Sequence, residues 1–275
     1  MTLQNREHFV KFAAQPEEQL DWLEGAVLIA QAVYPEVSLQ ECRQQLDVLA
    51  DEVQRGLQEN IAPPAAEDVA RELYGRCRLS GNTKSYYDAN NSCINWVLEH
   101  RMGIPISLAL VFVEVAQRLG IQAEGINFPG HFLVRCGGFG GALFDPFSGK
   151  GMGPDECESL LQRMQGMQAT LEPSHLQVIG VRKALRRMLT NLKVCSMNVN
   201  DYLTALFCVD RMLLLQPEVP MDLRERGYLY YRLECFPEAA EDIGRFLEAM
   251  PEHVTAPSFR KLRDWLLEQH EPPVN

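Results

Sequence analysis

Residues 105–147 read PISLALVFVEVAQRLGIQAEGINFPGHFLVRCGGFGGALFDPF, and this stretch changes character part-way. Its first part, Ser107 to Leu119, is apolar nearly all round, which marks a buried helix. Gly120 closes it, the residue type most favoured just past a helix end. Three short apolar segments follow: Gln122–Asn127, His131–Cys136 and Ala142–Phe147. Phe128-Pro-Gly130 and Gly137-Gly-Phe-Gly-Gly141 separate them, so they read as antiparallel strands joined by turns. One buried helix feeding a small antiparallel sheet is an α+β core.

Toward the N-terminus the chain reads as helices. Leu20, Leu23, Val27, Ala30 and Val33 recur at helical spacing until Pro35 stops the run. Ser38 with Glu41 has the spacing of a capping box, and Leu39, Leu46 and Leu49 continue its apolar stripe. A break at Ile61-Ala-Pro-Pro64 precedes a short amphipathic piece, Val69–Leu79. Gly81-Asn82 and Asp88-Ala-Asn-Asn91 are turn chemistry, and Ser92–His100 is helical again.

The last third repeats itself. A shift of 34 residues lays Leu189 on Leu223, Tyr202 on Phe236 and Ala205 on Ala239. The same shift matches Val209 to Ile243, Leu213 to Leu247 and Pro217 to Pro251. That period resembles the tetratricopeptide repeat, in which paired helices touch through small residues. The second copy carries Gly227, Tyr230, Ala239 and Pro251, whereas the first has Lys193 in place of the small Gly. Phe259–Leu267 is the expected capping helix. Two domains follow, residues 1–180 and 181–275.

Composition bounds the function classes. The chain has 275 residues, 46% hydrophobic and 23% charged, enough apolar side chain to fold without extended disorder. A formal charge of -11 repels phosphate backbones and anionic lipid, so neither nucleic acid nor a membrane is the expected partner. The start lacks a secretory leader, and the longest apolar run, Ile106–Val113, is far short of a membrane span. Eight scattered cysteines without a C-x-x-C pair suit reduced thiols in a cytoplasm. The six histidines are isolated from each other, so neither a metal site nor a cofactor is expected.

Chemistry concentrates in the middle. His131 opens one strand and Asp145 ends the next, and neighbouring strands let the carboxylate orient the imidazole. Such a His works as acid or base near neutral pH, although a purely structural His–Asp hydrogen bond has the same spacing. A nucleophile belongs at the start of the buried helix, where the helix's positive end would activate a thiol. Gly103-Ile-Pro-Ile-Ser107 contains no cysteine there. Ser107 offers a hydroxyl, with helix capping as its plainer role. Cys93 on the preceding helix is an alternative thiol in a partly apolar setting. Glu114 stands amid apolar neighbours, on Ser107's face or paired with Arg118 one turn on. The glycine-rich 137–141 segment reads as a hairpin loop rather than a phosphate cradle.

Gly130-His-Phe-Leu-Val-Arg135 and Phe144-Asp-Pro146, after that helix, resemble the transglutaminase-like superfamily, relatives of papain-type thiol enzymes. Tyr86-Tyr-Asp-Ala-Asn-Asn-Ser92, Arg101-Met-Gly-Ile-Pro-Ile-Ser107 and Phe128-Pro-Gly-His-Phe-Leu-Val-Arg135 resemble, more closely, the bacterial SirB-type proteins. Those join a transglutaminase-like region to C-terminal tetratricopeptide repeats, and the likeness covers nearly the whole chain. The resemblance implies that His131 and Asp145 match the superfamily's catalytic His and Asp. It makes Asn91, Arg135 and Glu114 candidate supporting residues. The catalytic Cys does not transfer: Pro105 falls in its slot, and a two-residue slip puts Ser107 there. Two readings result. One is a non-catalytic scaffold or regulator that docks a protein or peptide on its repeats. The other is a hydrolase or acyl-transferase built on Ser107, His131 and Asp145.

Overall fold

A computed structural model describes residues 3–57, 64–217 and 219–269. The break read at residues 61–63 lies outside the described residues. Two compact units divide the chain, one spanning Pro16–Met188 and the other combining Met1–Gln15 with Leu189–Asn275.

In the first unit, α2 (Trp22–Ala30), α3 (Leu39–Gly56), α4 (Ala66–Arg71) and α5 (Ile94–His100) precede the central helix α6 (Pro105–Arg118). Asp21 caps α2, accepting from the Glu24 N–H, and the Ser38–Glu41 capping box opens α3 as its spacing predicts. The amphipathic piece begins earlier than expected, at α4, and runs into a π-turn over Glu72–Arg76. Two residues each form β1 (Ser80–Gly81) and β2 (Met102–Gly103), a parallel pair. The sheet proper is β3 (Ala123–Ile126), β4 (Leu133–Cys136), β5 (Ala142–Asp145) and β6 (Lys150–Met152), antiparallel and in sequence order. The sequence shows three of these strands. It assigns nothing to β6 or to α7 (Pro154–Gln165), although Pro154 with Asp155 and Glu156 in the first turn is a helix-start signal.

The two faces of the sheet are covered differently. Val134, Cys136 and Phe144 point to α6, and the Phe112 and Phe144 rings lie 5.3 Å apart. Every residue of α6 from Pro105 to Val113 is buried, as an apolar helix against a sheet requires. The opposite face, with Ile126 and Leu133, packs against Cys157, Leu160 and Leu161 of α7.

Among the described residues, the regular structure of the second unit is helical: α1 (Leu3–Ala13), α8 (Val181–Asn198, which begins in the first unit), α9 (Tyr202–Leu215), α10 (Pro220–Arg232), α11 (Phe236–Ala249) and α12 (Ala256–Glu268). The repeat holds to the residue: α9 and α11 start 34 positions apart, and so do the ends of α8 and α10. Asn200 and Glu234, also 34 apart, adopt the same left-handed turn at φ 59°. Gly227 has to be small, because a Cβ there would sit 2.8 Å from Ile243 Cγ1 and 3.2 Å from the Ala239 carbonyl. Lys193, the departure in the first copy, forms an ion pair with Glu225. Residues Met1–Gln15 fall with the repeats and not with the core, which differs from a division at 180. The cause lies in α1: Phe9 and Phe12 are fully buried, Arg6 pairs with Asp210, and Asn5 accepts from Arg211. Among the described residues, no helix is long and apolar enough to cross a membrane.

Candidate functional site

The strand register builds the site. Val134 pairs with Phe144, so Asp145 at the end of β5 comes alongside the residues just before β4. His131 is among these; it precedes β4 by two residues, in the turn, rather than opening the strand. Its N–H donates to the Phe128 carbonyl at 3.0 Å. The next residue, Phe132, is fully buried with its ring 5.8 Å from that of Trp22. Arg187, from α8, lies over the Phe132 ring at 5.4 Å. Its guanidinium also donates to Asn127 Oδ1 at 2.6 Å and to the Phe128 carbonyl at 3.4 Å. Burial pushes the Arg187 pKa down, a cost the clamp accepts for holding the turn.

The imidazole and carboxylate meet. His131 Nε2 lies 2.8 Å from Asp145 Oδ1, with side chains 12% and 18% exposed. The Phe147 N–H donates to the same oxygen at 2.9 Å, and Ser148 Oγ donates to Oδ2 at 2.7 Å. Burial alone would raise the Asp145 pKa; the hydrogen bonds from His131 and Ser148, the His131 charge and the Phe147 N–H outweigh it and hold the carboxyl below its ordinary value. An ionised Asp145 only accepts, so the Nε2 of His131 is the donor in this contact. Tyr74 donates to the Pro146 carbonyl at 2.6 Å, and burial with Asp145 nearby pushes its phenol well above the usual range. The turn after Asp145 needs Gly149, whose φ is 74° and whose missing Cβ would strike the Tyr74 ring at 2.2 Å.

The nucleophile positions tell a different story. Ser107 is fully buried at the third position of α6. Its hydroxyl donates to the Asn91 carbonyl at 2.7 Å and accepts from the Ile104 N–H at 3.2 Å. Among the described residues, His131 is not one of its partners. Pro105 occupies the first helical turn, where a missing N–H costs nothing. Asn91 is also buried, its amide donating to the Ser85 and Tyr86 carbonyls and accepting from Asn82. Cys93, fully buried at the N-cap of α5, directs Sγ to the Ala89 carbonyl at 3.6 Å. Glu114 pairs with Arg118 at 2.5 Å; burial raises its pKa against that arginine's pull. Arg135 donates to the Leu176 carbonyl, and both residues line one groove.

The structure therefore unites His131 with Asp145 and sets Ser107, Cys93, Glu114 and Arg135 to other work. Ser148, Tyr74 and Arg187 complete the site without having been read from sequence. Only Ser148 leaves a local trace there, an Asp and Ser three residues apart in a turn. Among the described residues, no group of three or more His, Cys, Asp or Glu could hold a metal ion.

Comparison with known proteins gives the family of the chain. Residues 40–190 match the family described as the transglutaminase-like superfamily, and residues 192–264 match the tetratricopeptide repeat. A protein named UPF0162 protein from Xylella fastidiosa is 35% identical over 247 residues, 87% of each chain. The chain belongs to the UPF0162 family. Another UPF0162 protein, from Vibrio cholerae, is 30% identical over 237 residues, covering 85% of this chain and 88% of that one. Human F-box only protein 21 is 31% identical over 263 residues, covering 82% of this chain but 41% of its own length. No solved structure matches. In this UPF0162 member, His131 pairs with Asp145, and α6 starts with a proline and a capping serine.

Proposed function

We propose that this UPF0162 chain, a SirB-type protein of the cytoplasm, is a non-catalytic scaffold or regulator that docks a protein or peptide on its helical repeats. The observation that carries the reading is Ser107: its hydroxyl is fully buried, and its hydrogen bonds go to the backbone of Asn91 and Ile104. An acyl-enzyme needs a nucleophile whose proton passes to the imidazole, and His131 alone forms none. Pro105 supplies no atom in its place. Stacked repeats offer extended surfaces for other proteins, which supports the docking role. The relationship to a much longer F-box protein supports use of this region as a module.

Labelling of the full chain tests the reading. Neither a fluorophosphonate nor iodoacetamide is expected to mark wild type near His131 at neutral pH. Pro105→Cys is expected to gain an iodoacetamide-reactive thiol, and adding His131→Ala to suppress it. Fluorophosphonate labelling that disappears in Ser107→Ala would instead establish the hydrolase reading, which the 2.8 Å His131–Asp145 contact favours. For docking, cross-links from a co-purified partner should fall on residues 181–275; cross-links confined to the surroundings of His131 count against it.

A further inference from the structure

The sheet face turned away from α6 is covered along only part of its length. Leu143 and Met152 belong to the apolar cluster around α7, yet remain partly accessible, as do Leu171 and Leu176 from the segment that returns past them. Together they line a groove of about 830 Å³. Its size lies within the range of small-molecule sites, and its walls have the composition of one: mostly apolar, with few polar groups.

Two features give the groove a chemistry. Arg135 is one of two charged residues lining it, with Glu172 the other. Glu172 is exposed and accepts from Ser174 Oγ at 3.3 Å. Across the strands Arg135 faces Glu124, but among the described residues it forms no ion pair; one of its N–H groups goes to the neutral Leu176 carbonyl. A guanidinium with donors remaining, beside apolar walls, fits a carboxylate attached to an apolar chain. The second feature is Phe139, fully exposed at the tip of Gly137-Gly-Phe-Gly-Gly141 and lining the groove's rim. Gly137, Gly138 and Gly140 have φ of 89°, 74° and 80°, so a backbone most residues avoid holds out an aromatic ring that the fold does not bury.

We propose that this groove binds a monocarboxylic acid with a linear apolar chain, the carboxylate on Arg135, the chain along Leu143, Met152 and Leu176, and Phe139 closing over it. The proposal stands apart from the scaffold reading, because it uses neither the repeats nor His131.

Isothermal titration of the full chain with decanoate below its micellar concentration tests it, with decan-1-ol and butanoate as comparisons. Decanoate is expected to bind saturably at one site. Arg135→Gln should weaken it by about tenfold, the usual scale for losing a charge-assisted hydrogen bond. Decan-1-ol should bind more weakly and ignore that substitution, and butanoate should give no saturable heat. Phe139→Ala lies on an exposed tip and so keeps the test open if Arg135→Gln fails to fold; it should weaken decanoate about threefold through lost apolar contact. Absence of saturable decanoate binding, or binding indifferent to both substitutions, overturns the proposal. So does a peptide with an apolar C-terminus that binds where decanoate does not.

Discussion

Asp145 and Ser107 are both tied by three short polar contacts, and they spend them in opposite ways. Asp145 holds a titratable ring, keeps its own charge, and leaves part of its side chain accessible. Ser107 satisfies only backbone groups and is sealed from solvent. The same number of bonds keeps chemistry available in one place and converts it to capping in the other. What distinguishes a site from a scaffold here is the identity of the bonding partner rather than the density of bonding.

The sharpest test of that contrast is Ser107→Ala. It strips the cap from α6 and orphans the buried Asn91 carbonyl and Ile104 N–H, so a loss of about 3 kcal/mol is expected from a urea midpoint shift at unchanged slope. A serine kept for catalysis would show the reverse pattern, with little change in stability and loss of a labelling reaction.

Asp145→Asn comes next, at about 2 kcal/mol, because the amide can still accept but cannot hold the imidazolium or take a charge-assisted bond. The pH dependence fixes the sign. The folded pKa lies below the unfolded value of about 3.9, so the carboxylate's contribution is complete above that value. It is lost as pH falls through the folded pKa. Wild type should therefore shed this increment in acid, and Asp145→Asn should show a flatter stability profile over the same window.

The contrast also explains what was legible in sequence. Local and periodic signals survived folding nearly intact. The 34-residue repeat set helix starts and ends to the residue, and the Ser38–Glu41 box formed as spaced. His131 and Asp145 were legible because neighbouring antiparallel strands bring residues fourteen apart together, a constraint of topology. Ser107's fate was not, since its acceptor is the Asn91 carbonyl, sixteen residues back across a turn, and any residue presents a carbonyl. Arg187 holds the turn before His131 from a helix more than fifty residues on, and nothing in its neighbourhood marks it. The N-terminal helix likewise gave no sign that Phe9 and Phe12 would bury themselves in the repeat unit.

Ser148→Ala is the finest probe, because it touches one of Asp145's three contacts and leaves His131 in place. Loss of the 2.7 Å bond to Oδ2 should cost about 1 kcal/mol of stability, near the limit of a denaturation measurement. The carboxyl carbon of Asp145 followed by NMR through an acid titration reads the effect directly. Ser148 helps hold the Asp145 pKa below its ordinary value, so the variant's midpoint should rise while the wild-type chain titrates lower. If the midpoint does not move, Ser148 merely closes the turn to Gly149, and the His131 and Phe147 contacts alone keep Asp145 ionised. The alcohol next to the carboxylate would then resemble Ser107 after all, a hydroxyl serving the backbone's shape.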